Sequence, residues 1–425
     1  MTEVASTRLA VDLRARNWPA LDELPTGPRA RASARIARTL FRGAVSRLDV
    51  TVHVGDETRD RPWGRGGPVM VISRPEEFFL RLGRDQLIGF GEAYLTGAWD
   101  SEDLGGFLTV LAARIQHLIP EPLQRLRGAV VRKPPPDELS SEANSQVNIA
   151  HHYDLSNDLF QQFLDPTLSY SSALFTGEEL RRPPSRDDLE VAQGRKIERL
   201  LDQAGVAAGS RVLEIGTGWG ELAIRAARRG AVVTTITLSR EQKALADRRI
   251  AEAGVSDRVT VEICDYRSVA GQFDAVVSVE MIEAVGWQFW RTYFETIDRV
   301  LAPGGRVAIQ AITMPHDRML VTRNTYTWIN KYIFPGGFLP SVRVLDEITR
   351  EHTTLRMAAP LSMGASYAET LRLWDQTFLA ASDRVHALGF DETFVRMWHF
   401  YLEYSRAGFA SSYIDVNQLT FSRHA

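Results

Sequence analysis

The sequence holds a single cysteine among 425 residues, Cys264. One thiol excludes an internal disulfide and any zinc site built on cysteines, and it fits a reducing compartment. Long apolar runs are missing as well. No window of about 18 uninterrupted apolar residues occurs, so no segment is expected to span a bilayer and any membrane contact must be peripheral. The first residues, MTEVASTRLAVDLRARNWPA, lack the apolar stretch and small-residue cleavage site of a secretory signal. Nor does one sign of charge dominate: 50 Lys and Arg against 53 Asp and Glu leave a net charge of −3. That balance gives no general case for a nucleic-acid partner.

What is present is the composition of a globular protein, 44% hydrophobic and 24% charged. The chain is too long for one ordinary core, so two domains are expected. Residues 1–125 mix short helical and strand-like patterns. Residues 126–145 carry three consecutive prolines followed by polar residues and read as a linker. Residues 146–425 hold the richer pattern. Near the start, PRARASARIARTLFR sets Arg29, Arg31, Arg35, Arg38 and Arg42 among Ala, Ile and Leu. This is a cationic amphipathic helix, either a solvated surface or a contact for anionic lipid headgroups.

The second region dictates a fold class. RVLEI, AVVTTIT, RVTVEI, FDAVVSVEMIEAV and PGGRVAIQAIT read as strands, alternating with the helical spacings of ELAIRAARRG, EQKALADRRIAEAG and RTYFETIDRVL. Strand–helix alternation with short loops predicts an α/β fold with a doubly wound parallel sheet. Such sheets bind ligands at the carboxyl ends of their strands, here segments 214–220, 237–242, 265–267 and 280–286.

Glu214-Ile215-Gly216-Thr217-Gly218-Trp219-Gly220 follows the first of these strands and opens a helix. Its glycines permit a sharp turn and close approach to a ligand. A dinucleotide site needs G-x-G-x-x-G, and an NAD ribose needs an acid at the end of the second strand. This loop is G-x-G-x-G, and the second strand ends in Thr237-Leu238-Ser239. The pattern is instead that of a class I S-adenosylmethionine methyltransferase, with Asp265-Tyr266 closing the third strand.

Longer segments carry a resemblance. HHYDLSNDLF (151–160), YSSALF (170–175), VLEIGTGWGELA (212–223), CDYR (264–267), VSVEMIEAVG (277–286), WINKYIFPGGFLPS (328–341) and YAETLRLW (367–374) resemble the cyclopropane-fatty-acid synthase and mycolic-acid methyltransferase family. GFGEAYLTGAWDSEDL (89–104) resembles the upstream domain of its full-length bacterial synthases. VEMIEAVG together with VAIQAITMPH is similar to one branch, the actinobacterial enzymes of 10-methyl-branched (tuberculostearic-type) fatty acid synthesis.

The resemblance implies a class I methyltransferase domain behind a smaller α+β domain that docks on membrane and dimerises. It implies a cytoplasmic enzyme, peripheral on the inner face of the cell membrane. It would methylate the double bond of oleoyl chains in phospholipid to a 10-methylene product, which a flavin-dependent reductase then saturates. By the same resemblance, Tyr170 and Ser171 close over S-adenosylmethionine, and Glu214, Gly216 and Gly218 hold its methionine end. Thr237, Leu238 and Gln242 meet the ribose, Asp265 and Tyr266 bracket the adenine, and Glu283 faces the reacting carbon with Tyr367 beside it. Ring-forming relatives hold a bicarbonate ion as base with a Cys, a Glu, a His, an Ile and a Tyr. The matching positions are Ser172, Glu283, Gln310, Ile312 and Tyr367, so two of the five differ; Ala284 also replaces a His that usually follows the Glu.

Other readings stay open at single residues. Tyr170 and Tyr367 can be core aromatics with bonded hydroxyls, Asp265 a helix N-cap, Gln242 a solvated helix residue, Glu283 a buried structural acid, and the aromatics of WINKYIF plain core. For the whole chain, the alternatives are a cyclopropane synthase, a methyltransferase for small molecules on the same fold, and a non-catalytic lipid-binding protein. The altered base positions lengthen the life of a carbocation and allow a hydride shift, which favours the methylene over the ring.

Overall fold

A computed structural model describes residues 18–58, 61–118 and 156–423. The linker expected at 126–145 and the HHYDL half of the first motif lie outside the described residues.

The upstream part is a small α+β module. Strands β1 (Thr51–Val54), β2 (Trp63–Gly64), β3 (Val69–Ile72) and β4 (Trp99–Asp100) form one sheet in the order β2-β1-β3-β4. β1 and β3 alternate in burial, so one face meets the core and the other faces outward. The cationic helix forms as the spacing predicts, over Gly27–Val45. Arg38 and Arg42 lie 5.7 and 5.6 Å from the Trp63 ring, whereas Arg29, Arg31 and Arg35 stay exposed beside Ile36 and Leu40.

The downstream part is built on a larger sheet. Its strands are β5 (Arg211–Ile215), β6 (Val232–Thr237), β7 (Val259–Ile263), β8 (Phe273–Val279), β9 (Leu301–Thr313), β10 (Leu355–Met357), β11 (Leu361–Ser362) and β12 (Asp415–Arg423). The order is β10-β12-β9-β8-β5-β6-β7, with β11 paired to β12. From β9 through β7 the pairings are parallel, as expected, and these apolar strands are covered by helices on both faces. β12 runs antiparallel to β9, an element the sequence pattern did not reveal. DVNQLTFSR mixes polar and apolar residues and follows the long helix Glu392–Ala410 with only a short turn.

One boundary needs correction. The run FDAVVSVEMIEAV is not one strand: β8 stops at Val279, and Ile282–Val285 is a single helical turn. The break comes at Glu280, which adopts φ 50°, the left-handed region that costs a side-chain-bearing residue roughly 1–2 kcal/mol. Its N–H still donates to the Gln310 carbonyl at 2.8 Å, so the chain leaves the sheet in a fixed direction.

The two parts share a continuous core. Phe90, Tyr94, Trp99 and Phe107 from upstream pack with Trp374, Trp398 and Phe400 from helices Gly364–Ala380 and Glu392–Ala410. The WINKY helix (Trp328–Tyr332) is held by the upstream helix Leu87–Leu95. Gly91 lies so close that a Cβ there would sit 2.5 Å from the Trp328 ring. Beside it the buried Glu92 accepts from Lys331 Nζ and, at 2.9 Å, from the Tyr332 hydroxyl, with Arg84 3.5 Å away. Removing this carboxylate leaves the cations around it uncompensated, which costs about 3–5 kcal/mol. Glu92→Ala is therefore expected to lower the melting temperature by roughly 10 °C in a thermal melt; a shift of a degree or less would mean the ion cluster is not what joins WINKY to the upstream module.

Candidate active site

The carboxyl edge of the parallel strands opens into a crevice of about 1180 Å³, counting its mouth. All four segments expected there contribute: the glycine loop after β5, the end of β6, the turn after β7 and the residues flanking Glu280 after β8. Ser169, Tyr170 and Ser171 close the opposite side. The crevice therefore brings together every residue expected at the cofactor: Tyr170, Ser171, Glu214, Gly216, Gly218, Thr237, Leu238, Gln242, Asp265 and Tyr266.

The loop's conformation explains its glycines. Gly216 has φ 98°, and a Cβ there would lie 2.5 Å from Met281 Cγ. Gly218 has φ 51° and open space where a Cβ would stand. Thr217 is fastened from below, where Thr235 Oγ1 donates to its hydroxyl at 2.8 Å. Trp219 turns away from the ligand side and donates through Nε1 to Asn157 Oδ1 at 2.7 Å. The SNDLF half of the first motif (156–160) thus braces the glycine loop.

Glu214 is buried at the end of β5 with the Thr235 hydroxyl beside its carboxyl group, and its Oε2 has no hydrogen-bond partner among the described residues. Desolvation pushes its pKa up to about 8. A desolvated acid on the crevice wall, only partly offset by the buried Lys196 charge, suits a ligand that brings an ammonium group and ionises it. At the other end Thr237 Oγ1 donates to Gln242 Oε1 at 2.8 Å and Ser239 caps the helix Arg240–Glu252, so Gln242 is a fixed, buried polar group rather than a solvated one. Asp265 is also a cap: it accepts from the Arg267 N–H at 2.9 Å and from the Arg267 guanidinium at 2.8 and 2.6 Å. Its carboxylate is held toward Arg267, which keeps its pKa below the usual range against the opposing effect of burial. Tyr266 packs edge-on against Tyr293 with centroids 5.2 Å apart. This end offers aromatic and polar surface suited to a nucleoside.

The five positions expected to hold a bicarbonate ion also converge, but onto protein carboxylates. Glu280 Oε1 accepts from the Ser172 N–H at 2.9 Å and from Gln310 Nε2 at 2.8 Å, and Oε2 accepts from the Tyr367 hydroxyl at 2.7 Å. The Ile312 N–H donates to Glu283 Oε1, whose partner oxygen Oε2 is buried without a hydrogen bond. Every one of these donors is spent, so the residues present do not fit an added bicarbonate. Sequence reasoning placed Tyr367 beside the reacting carbon; its hydroxyl donates to Glu280, and its ring stacks on Phe409 at 4.4 Å. Glu283 is pushed up to about 8, first by desolvation and then by the neighbouring Glu280. Glu280 is raised too, by burial, against the three bonds that favour its charged form. Two acids not singled out together, Glu280 and Glu283, thus form one acidic site whose protonation is shared. The available signal was spacing: acids three apart, where a buried strand ends at the ligand edge.

Tyr170 stacks on Trp374 at 5.3 Å, and its hydroxyl shares a 2.8 Å bond with Tyr401. Lys196, fully buried, donates to Ser171 Oγ at 2.6 Å; desolvation lowers its pKa to about 8. Among the described residues no group of His, Cys, Asp or Glu could hold a metal ion.

With this geometry in hand, comparison with known proteins is decisive. The family described as mycolic acid cyclopropane synthetase matches residues 140–419. The chain belongs to that family. It is an S-adenosylmethionine-dependent methyltransferase. It is 50% identical over 423 residues to a tuberculostearic acid methyltransferase of Mycobacterium tuberculosis, covering 100% of this chain and 99% of that one. Against the cyclopropane-fatty-acyl-phospholipid synthase of Escherichia coli K12 it is 35% identical over 361 residues, covering 84% and 88%. A mycolic acid cyclopropane synthase crystallised with SAH and CTAB superposes with a TM-score of 0.58 at 30% identity, covering 67% of this chain and 99% of that one. In this family member the orphaned Glu214 oxygen and the glycine cradle fit the cofactor's amino acid end, and the Gln242 end fits its nucleoside.

If Glu214 pairs with the cofactor's ammonium, binding must ionise it. Affinity for S-adenosylmethionine, measured by calorimetry, is then expected to rise between pH 6 and 8, and Glu214→Gln to weaken binding at least about tenfold and flatten that rise. An unchanged pH dependence in the variant would separate Glu214 from the cofactor.

Proposed function

We propose that this enzyme methylates the cis double bond of an oleoyl chain in membrane phospholipid and releases a 10-methylene acyl chain. The observation that carries the reading is the pair Glu280 and Glu283: two desolvated carboxylates beside a methyl-donor crevice, without a guanidinium or ammonium ion-paired to either among the described residues. The 50% identity to a tuberculostearic acid methyltransferase supports the substrate and product.

The chemistry calls for such a site. Bound S-adenosylmethionine supplies an electrophilic methyl on a positively charged sulfur. An isolated alkene is a weak nucleophile, so the chain must be held with its double bond in line with that methyl at about 3–3.5 Å. The π pair becomes the new C–C bond and leaves a cation on the adjacent lipid carbon. Glu283 stabilises the positive charge as it moves onto the lipid. Tyr326, a buried aromatic, and Phe334, packed 6.0 Å from Tyr401, add apolar and quadrupolar surface that excludes water. Water reaching the cation would trap it as an alcohol. A hydride shift then carries the charge to the methyl-bearing carbon, and loss of a methyl proton gives the exocyclic double bond.

The upstream module is the lipid-docking part in this reading. Arg29, Arg31 and Arg35 can meet anionic headgroups while the exposed Ile36 and Leu40 enter the interface, a peripheral contact on the inner face of the membrane. No described helix is long and apolar enough to cross a bilayer. The same reading includes self-association and a flavin-dependent reductase acting on the product.

The test is mass spectrometry of lipids from an oleate-containing host expressing the enzyme, with labelled methyl donor. A methylene-branched C19 chain is expected, and Glu283→Gln should lower its yield at least about hundredfold while leaving cofactor binding intact. A dominant cyclopropane peak would refute the product, and near-normal turnover in the variant would remove Glu283 from the mechanism.

A further inference from the structure

The donors expected to hold an external anion end on Glu280 instead. Glu280 is not simply a nearby acid. Its backbone is strained at φ 50° and locked by the bond from its N–H to the Gln310 carbonyl, and strain of this kind is kept where the surroundings over-determine it, often at functional sites. The strain sends the side chain out of the β8 line, into the reach of Ser172 and Tyr367 from other parts of the chain.

The donors are of a particular kind. A backbone N–H, a carboxamide and a phenol are all neutral, and no salt bridge to Glu280 occurs among the described residues. Neutral donors fix the carboxyl group in place, and the buried Lys196 favours its charged form only from beyond ion-pair distance. The carboxamide is also set the right way round. Arg199 donates to Gln418 Oε1 at 2.5 Å, and Gln418 Nε2 donates to the Lys196 carbonyl at 3.2 Å and to Gln310 Oε1 at 3.1 Å. Gln310 must therefore present its NH₂ to Glu280. The chain Arg199, Gln418, Gln310, Glu280 explains why an amide at position 310 is an asset here: its NH₂ is held as a donor to a carboxyl group that is part of the protein.

Glu280 also stands in the right place. Its sequence neighbours Val279 and Met281, and Ser171 beside its partner Ser172, all line the crevice, and Gly216 approaches Met281. Glu283, one helical turn on, faces the same site.

We propose that Glu280 is the general base of the reaction, a carboxylate built into the chain where an external anion would otherwise be recruited. The step balances within the protein: a C–H bond of the transferred methyl breaks, its electron pair becomes the new carbon–carbon π bond, and the proton passes to the Glu280 carboxylate. No added base is consumed, and the protonated acid returns its proton to solvent after product release. This inference rests on the lipid-methylating reading above.

The experiment uses the full-length enzyme with S-adenosylmethionine and oleoyl phospholipid vesicles in buffer stripped of carbon dioxide. Wild-type turnover is expected to be unchanged by removing bicarbonate. Glu280→Gln should bind cofactor normally by calorimetry and lose at least about hundredfold in turnover. Glu280→Gly, which relieves the left-handed strain and opens a carboxylate-sized space, should be equally slow and regain at least about tenfold with added formate or bicarbonate. A purely structural role would not respond to those anions. Glu280→Gln turnover within threefold of wild type, a wild-type enzyme that stops without bicarbonate, or a cofactor-binding Glu280→Gly that neither anion restores would each overturn the proposal. A wild-type enzyme inactive on vesicles under every condition, yet active on a soluble acceptor, would instead overturn the reading it rests on.

Discussion

Carboxyl groups held away from water with no ion-paired cation among the described residues, two of them feeling only the longer-range field of the buried Lys196, are what the rest of this site depends on. Burying a carboxylate is expensive unless something pays it back. Among the described residues Glu214 has an oxygen with no hydrogen-bond partner, Glu283 has another, and Glu280 is hydrogen-bonded by neutral donors with the Lys196 charge beyond ion-pair distance. The raised pKa values of all three follow from the same desolvation. Glu214 on the crevice wall, with Glu280 and Glu283 next to the lining residues Val279, Met281 and Ala284, can ionise to meet positive charge, first that of a sulfonium cofactor and then that of the lipid cation which replaces it.

The fold exists to hold these groups still. Parallel strands end together at one edge, and the glycine loop, the β6 end and the β7 turn give a fixed cradle there. β8 delivers Glu280 and Glu283 by breaking at a strained residue, and β9 brings Gln310 and the Ile312 N–H alongside. β12 pairs antiparallel with β9 and carries Gln418, which orients Gln310. The C-terminal helices supply Tyr367 and the aromatic core against which the upstream module packs, so the module, the WINKY helix and the crevice form one connected body.

Much of this was legible in the sequence because it follows from local patterns. β-branched apolar runs and helical spacings located five strands and their helices, and G-x-G-x-G after β5 distinguished the crevice from a dinucleotide site. What escaped depended on tertiary context. Glu280 sits inside VSVEMIEAV, where apolar neighbours suggest continuous strand, and only its left-handed backbone aims it at the site. Asp265 proved to be a cap bound to Arg267 as well as a crevice residue, a distinction that residue type alone does not make. β12 was hidden because its mixed residues are matched to β9 through space. Three of the bicarbonate positions, Ser172, Gln310 and Tyr367, donate to a side chain three residues before Glu283.

The central claim is that a hydrocarbon chain reaches the buried Glu280 and Glu283 carboxyl groups beside the methyl donor. A crystal structure with S-adenosylhomocysteine and a bound oleoyl lipid tests it directly. The account predicts the alkene carbons roughly 3–4 Å from the position of the transferred methyl, in a water-free pocket, with the Glu280 carboxylate the nearest charged group of the protein. An acyl chain lodged elsewhere, or ordered water between the alkene and Glu280, would contradict it.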